Sequence, residues 1–398
     1  MNPVIHNRTS YVRDALQHQR RMILPWVAMI MCLVPADVNA IQAKQEGVVP
    51  ASFARSSGKT HALHNVAIII DTTASMNVVD KDLPSQCKGS RLDCMLAGIR
   101  ILLSELSPCK ASKSICGTAT NGNVANAVDT VSLFAFPNVT VGMAINDYNC
   151  ADNFPRTVLN SFPAAGASTY APPNPPETTP TYEVVNYSSD YRTSAKATTL
   201  NPNSDLVKAV HGVSGCSGIK AVGGQGDYFA GAIYAAQASL VAEQAARPGS
   251  QNVMILVGEG YAKTSVIKVM APGTTDSGMY PSWIDECGQA IMAAKAAATA
   301  GTRVYAVAYG GDSSRICPTD TSGPYQGYSS CQTMKAIASS PAYFFSTPMV
   351  FFGTQGSYPT TCDSATHPIT DMNWIFAKIA KSIKAARSTK KKRRGIPG

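Results

Sequence analysis

Histidine is scarce in this sequence of 398 residues, and beyond the first forty only His61, His64, His211 and His367 remain. Each stands isolated, which leaves the usual general base and the usual zinc ligand without companions. No H-E-x-x-H, no G-x-S-x-G and no Cys-x-x-Cys occurs, so zinc protease, α/β-hydrolase elbow and dithiol redox centre lack their residues. Gly58-Lys59-Thr60 resembles the end of a phosphate-binding loop, but Phe53 stands where its earlier glycine is required, and the segment precedes a strand. Charge is also sparse, at 15% of residues against 45% hydrophobic. Acid is missing altogether from residues 378–398, which hold nine of the 34 Lys and Arg; the other 25 basic residues face 25 acidic ones. A neutral body of this kind excludes a broad nucleic-acid-binding face, and the net charge of +9 belongs to the end of the chain.

The apolar run Met22–Pro35 spans 14 residues, too few for a comfortable membrane crossing. It follows Arg20 and Arg21 and precedes Val38-Asn39-Ala40, which satisfies the small-residue rule for cleavage. Residues 1–40 therefore read as a secretory signal, with an uncleaved membrane anchor as the competing reading, and residues 41–64 as a polar linker. Of eleven cysteines, Cys32 lies in that run. The remaining ten suit disulfides in an oxidising compartment and place the chain outside the cytoplasm: periplasmic, envelope-anchored or extracellular. Short spacings favour Cys87 with Cys94, Cys109 with Cys116 and Cys317 with Cys331. Cys150, Cys216, Cys287 and Cys362 are left for longer bridges, and sequence does not fix the connectivity.

From residue 65 the pattern alternates between strand and helix. Val66–Ile70, Val253–Val257 and Val304–Ala308 are continuous apolar runs of strand length, as expected where both faces are covered, and Val131, Leu133 and Ala135 alternate. Leu92, Met95, Leu96, Ile99, Leu102, Leu103 and Leu106 recur at helical spacing. Helices are expected at 228–243, 285–300 and 371–386, and a short strand at 343–345. The fold class is α/β, a doubly wound, mostly parallel sheet flanked by helices. Residues 146–224, dense in Pro, Thr, Ser, Asn and Tyr, read as a long irregular insertion outside the sheet, clipped at its base by Cys150 and Cys216. Its Tyr148, Tyr170, Tyr182, Tyr187 and Tyr191 suit either a recognition surface or a loop packed on its own rings. The tail, 387–398, reads as a frayed end or as a polybasic contact for anionic lipid, envelope polymer or nucleic acid.

Three loops at expected strand ends carry oxygen ligands. Asp71-Thr72-Thr73-Ala74-Ser75 follows the first strand, Asp227 precedes a helix, and Glu259 stands between Gly258 and Gly260. Carboxylates mixed with hydroxyls suit a hard divalent cation: Mg²⁺, Mn²⁺ or Ca²⁺.

With these loops in order, residues 65–386 resemble a von Willebrand factor type A domain, whose Rossmann-like fold carries a metal-ion-dependent adhesion site. VAIIIDTTASM, SRLDCMLAGIRILL, YFAGAIYAAQASL and NVMILVGEG further resemble bacterial TadG-like (Flp/Tad) pilus assembly proteins. The resemblance maps Asp71 and Ser75 onto the family's ligands and Thr73 onto a Ser-type one. Asp227, counted back from Ala232-Ile233, replaces the family's Thr, and Glu259 replaces its Asp. Three acids over-neutralise a divalent ion, giving a structural rather than an electrophilic site, unless Glu259 misses the ion. The resemblance implies a non-enzymatic exported protein with a metal-dependent adhesion or assembly role, whose partner is a pilus or envelope protein. The rival readings are a metal-free scaffold held by disulfides and a secreted hydrolase.

Overall fold

In the computed structural model of the chain, the described residues are 62–79, 87–136, 148–150, 182–214, 216–221, 227–263, 275–348 and 362–392. All lie in one unit, Lys59–Gly398. In chain order the elements are β1 (His64–Asp71), α1 (Arg91–Glu105), β2 (Ala119–Thr120), β3 (Asn123–Val124), β4 (Asp129–Phe136), β5 (Tyr148–Cys150), β6 (Glu183–Ser188), α2 (Asp205–Ala209), β7 (Cys216–Ile219), α3 (Phe229–Ala246), β8 (Gln251–Gly258), α4 (Glu286–Thr299), β9 (Arg303–Ala308), α5 (Ser330–Ile337), β10 (Phe344–Ser346) and α6 (Met372–Lys392).

Six strands form one sheet in the order β10-β9-β8-β1-β4-β6, parallel except for β6 at the edge. Helical crossovers between successive strands allow this parallel pairing. Alternate residues of β1 feed two apolar layers. Val66, Ile68 and Ile70 pack with α1 and α6, while Ala67 and Ile69 pack with α3, α4 and α5. Burial on both faces explains why the strand reads as an uninterrupted apolar run, and each fully buried isoleucine contributes about 2 kcal/mol. Ser90 and Asp93 form a capping box that starts α1. α1 and α6 approach closely at Gly98, where a Cβ would lie 2.4 Å from the Phe376 ring. Met372, Ile375, Phe376, Ile379 and Ile383 supply the buried stripe of α6, which continues beyond the expected end at 386 to Lys392.

The chain departs β1 for β4 on one side and later returns to β8 on the other. The carboxyl ends of β1 and β8 therefore flank a topological switch point, where open α/β sheets place their ligands.

Two expectations are corrected. The stretch 146–224 is not wholly outside the sheet: Glu183–Ser188 pairs antiparallel with β4 as its edge strand. Tyr182, Tyr187 and Tyr191 are buried, so these three rings serve packing, and Leu206 and Val207 of α2 join the core. Tyr170 lies outside the described residues. The second correction concerns cysteine pairing. Cys87–Cys94 and Cys109–Cys116 are disulfides, but Cys317 bonds Cys287 and Cys331 bonds Cys362, not each other. Sequence proximity misled here because the fold brings the first turn of α4 against Cys317, and the segment preceding α6 against the first turn of α5. Cys150 stands opposite Cys216 in the β5–β7 register. Residues 1–40 lie outside the described residues. Among the described residues no helix is long and apolar enough to cross a membrane.

Candidate functional site

β1 ends at Asp71, and the chain then turns sharply. Thr73 precedes a 3-10 turn, Ala74–Asn77, anchored by buried Met76. Thr72 faces one way, its hydroxyl and N–H both donating to the Phe136 carbonyl at 3.0 and 2.8 Å. Thr73 faces the other: its N–H and hydroxyl donate to Asp71 Oδ1 at 2.9 and 2.6 Å. With that hydroxyl proton committed to Asp71, Ser75 donates to Thr73 Oγ1 across 2.9 Å. Alternation within a tight turn thus gathers one carboxylate and two hydroxyls.

Glu259 leaves the end of β8. Gly260, at φ +78°, makes the turn, and a Cβ there would meet Met334 Cγ at 2.4 Å and the Ser330 carbonyl oxygen at 2.5 Å. Asp227 precedes α3, its N–H donating to the Lys263 carbonyl at 3.0 Å. Its carboxyl lies beside the Thr73 hydroxyl and close enough to feel the charges of Asp71 and Glu259. Asp71, Thr73, Ser75, Asp227 and Glu259 thus meet at the switch point from three separate chain segments.

Two guanidinium groups that carry no sequence motif also reach this face. Arg91 is ion-paired to Glu259 through Nη1 and Oε1, and Arg315 Nη1 lies 3.8 Å from Glu259 Oε2. Arg91 opens α1, where the helix dipole disfavours a cation, and it is buried. That misplaced charge is the one sequence signal that could have pointed to it. Arg315 is exposed and lies over the Tyr261 ring, 3.5 Å from its centroid.

Burial, with the Glu259 charge next, pushes Asp71 up to about 7, against the pull of the Thr73 donors and the Glu259 backbone. Burial, then the charges of Asp71 and Glu259, raises Asp227 well above the ordinary carboxylate range, opposed by the Thr73 hydroxyl and Arg315. Two desolvated carboxyls that resist ionising together, with two hydroxyls beside them, form an all-oxygen donor set that fits a hard divalent cation. Asp71, Asp227, Thr73 and Ser75 could hold one, and its charge would relieve their repulsion. Another grouping of metal-ligand residue types is Cys287, Cys317 and Asp320. There the sulfurs form a disulfide, and Asp320 accepts the backbone N–H groups of Cys287 and Gly288 at 3.1 and 2.7 Å, a helix cap.

The model of the von Willebrand factor type A domain matches residues 157–349. That match falls just short of half of the chain. The matched span includes Asp227, Glu259 and Arg315 but begins after the Asp71 turn. Von Willebrand type A domains often carry a divalent-cation site, mediate protein–protein interactions and are usually non-catalytic. No curated protein matches the sequence. Among solved structures, BatB from Bacteroides thetaiotaomicron is similar at 14% identity and TM-score 0.39, covering 82% of this chain and 99% of its own. The pilus adhesin SpaC from Lactobacillus rhamnosus GG, in its open conformation, gives 14% and 0.41, and this chain spans 30% of it. Proximal thread matrix protein 1 of the mussel byssus gives 11% and 0.33, with 48% of its length spanned. None of these likenesses bears on the site.

Proposed function

We propose that this chain is an exported, non-enzymatic protein that adheres to or assembles with a protein of the bacterial envelope, in the manner of Tad/Flp pilus assembly proteins. A divalent cation at the switch point is the centre of the contact. The observation that carries this reading is the convergence of Asp71, Thr73, Ser75 and Asp227, from separate segments, on one desolvated point of the sheet end. Export is supported by the disulfides among the described residues, which need an oxidising compartment. The pilus assignment is supported by the resemblance of the four sequence stretches around β1, α1, α3 and β8. The acid-free run that closes the chain supports a second, electrostatic contact with anionic lipid headgroups. Mg²⁺, Mn²⁺ or Ca²⁺ should raise the melting temperature of the purified protein, and Asp71→Ala should abolish the rise. No shift with any of the three ions refutes the metal reading.

One observation favours a second reading, a metal-free scaffold: Arg91 and Arg315 already bring cationic charge to Glu259. That scaffold would lose much of its stability under reductant and be indifferent to chelator.

A further inference from the structure

We propose that Arg315, stacked on Tyr261 at the rim of this site, is a second anchor for the partner and takes a carboxylate from an acidic segment of it. The inference rests on the reading of this face as the adhesive one and names the partner chemistry that the face fits. The guanidinium lies 3.5 Å from the Tyr261 ring centroid. Glu259 Oε2 stands 3.8 Å from its Nη1, beyond hydrogen-bond distance. Among the described residues the Arg315 side chain donates no hydrogen bond, so its donors are open to a ligand. Exposure separates the two charges: Arg315 is 45% exposed and Glu259 13%, with Asp71 deeper still. The cation faces solvent and the acids lie beneath it.

Arg315 is ordered before any partner arrives. Its ring stack holds one side of the guanidinium, and its carbonyl accepts the Ser330 N–H at 2.9 Å. Ile316 bridges Ser329, and Cys317 is bonded to Cys287 of α4. A side chain held in this way loses little freedom on meeting a carboxylate, the loss that weakens contacts through flexible surface lysines. The acid of the same loop, Asp312, is turned to Ser314, whose N–H and hydroxyl both donate to its Oδ1 at 2.7 Å. Two neighbours add to the character of the surface. Ile316 is 55% exposed and gives the loop an apolar contact. Lys263 is exposed, and its carbonyl accepts the Asp227 N–H at 3.0 Å, so a second cation springs from backbone that borders the site. Outward cations with apolar surface on the same loop complement a segment that carries both carboxylates and apolar side chains.

The test is fluorescence anisotropy of a labelled hexapeptide of alternating glutamate and leucine, with its glutamine counterpart as control. Both are titrated at low salt with the full chain, in chelator and in Mg²⁺. Wild type should bind the glutamate peptide about tenfold more tightly than the control under both conditions. Arg315→Gln should lose about that tenfold, the worth of one charge-assisted pair. Arg315→Lys should stay about threefold weaker than wild type, because an ammonium lacks the planar fork and the stack. Equal binding of the two peptides by wild type overturns the inference, and so does undiminished binding by Arg315→Gln or full recovery in Arg315→Lys. Binding that requires Mg²⁺ and survives Arg315→Gln overturns it and leaves the metal reading standing. A melting temperature indifferent to all three cations removes the metal reading alone, since the Arg315 contact forms in chelator.

Discussion

Replacing Asp71 by Asn removes a charge and keeps the shape. The amide oxygen can still accept the Thr73 N–H and hydroxyl, now at 2.9 and 2.6 Å, so the turn should persist. What changes is the cost of ionising a buried acid. Asp71 titrates near 7 in the fold against 3.8 when unperturbed. Between those values the folded state retains a proton that the unfolded chain has released, so stability falls as pH rises from 3.8 to 7 and stays reduced above. The shift amounts to about 4 kcal/mol above pH 7, and with the carboxyl almost fully buried, solvent screening removes little of it. In chelator, Asp71→Asn should equal wild type near pH 4 and exceed it by about 4 kcal/mol at pH 8. Mg²⁺ at a hundred times Kd should cut the difference at pH 8 to about 1–2 kcal/mol, because only wild type gains binding free energy, about 2.7 kcal/mol. Urea unfolding from pH 4 to 8, with and without the ion, provides the measurement. A stability difference that is flat in pH, or a variant weaker than wild type in chelator, refutes the electrostatic account.

Glu183 offers the same logic away from the site. It is buried, titrates near 7 against 4.5 because of that burial, and accepts from Ser132 at 3.0 Å and Ser239 at 3.5 Å. Glu183→Gln should match wild type at pH 4 and gain up to about 3 kcal/mol at pH 8, less whatever its amide N–H leaves unpaired, as read from urea midpoints. Gly260→Ala should cost about 2–4 kcal/mol, from its left-handed backbone and from a methyl driven into the Ser330 carbonyl, and should weaken Mn²⁺ binding by displacing Glu259. Wild-type stability in Gly260→Ala would show that the turn relaxes freely.

The centre of the sheet was legible in the sequence because burial on both faces leaves a continuous apolar signature, as in Val66–Ile70. α1 was legible through its helical period, while the Ser90 cap that starts it emerged only from the structure. The edge strand Glu183–Ser188 was not: six residues with only Val184, Val185 and Tyr187 as apolar signal, set among prolines and threonines, do not stand out. At the site, Asp71, Thr73 and Ser75 could be read because their spacing is local. The Arg91–Glu259 pair spans 168 positions, and only folding brings it together. Cysteine pairing failed for the same reason, since α4 and α5 each borrow a partner about thirty residues away.

The two disulfides that tie α4 to the Cys317 loop and α5 to the segment before α6 also bear on resistance to proteolysis. Cys287–Cys317 and Cys331–Cys362 enclose consecutive stretches of chain. A single proteolytic cut between residues 288 and 316, or between 332 and 361, leaves both sides covalently joined. Arg315 lies inside the first of these protected intervals, so a protease that nicks its exposed loop does not detach it. Between Cys287 and Cys362 only the short passage from 318 to 330 lacks that insurance, and a cleavage there would separate α4 from α5.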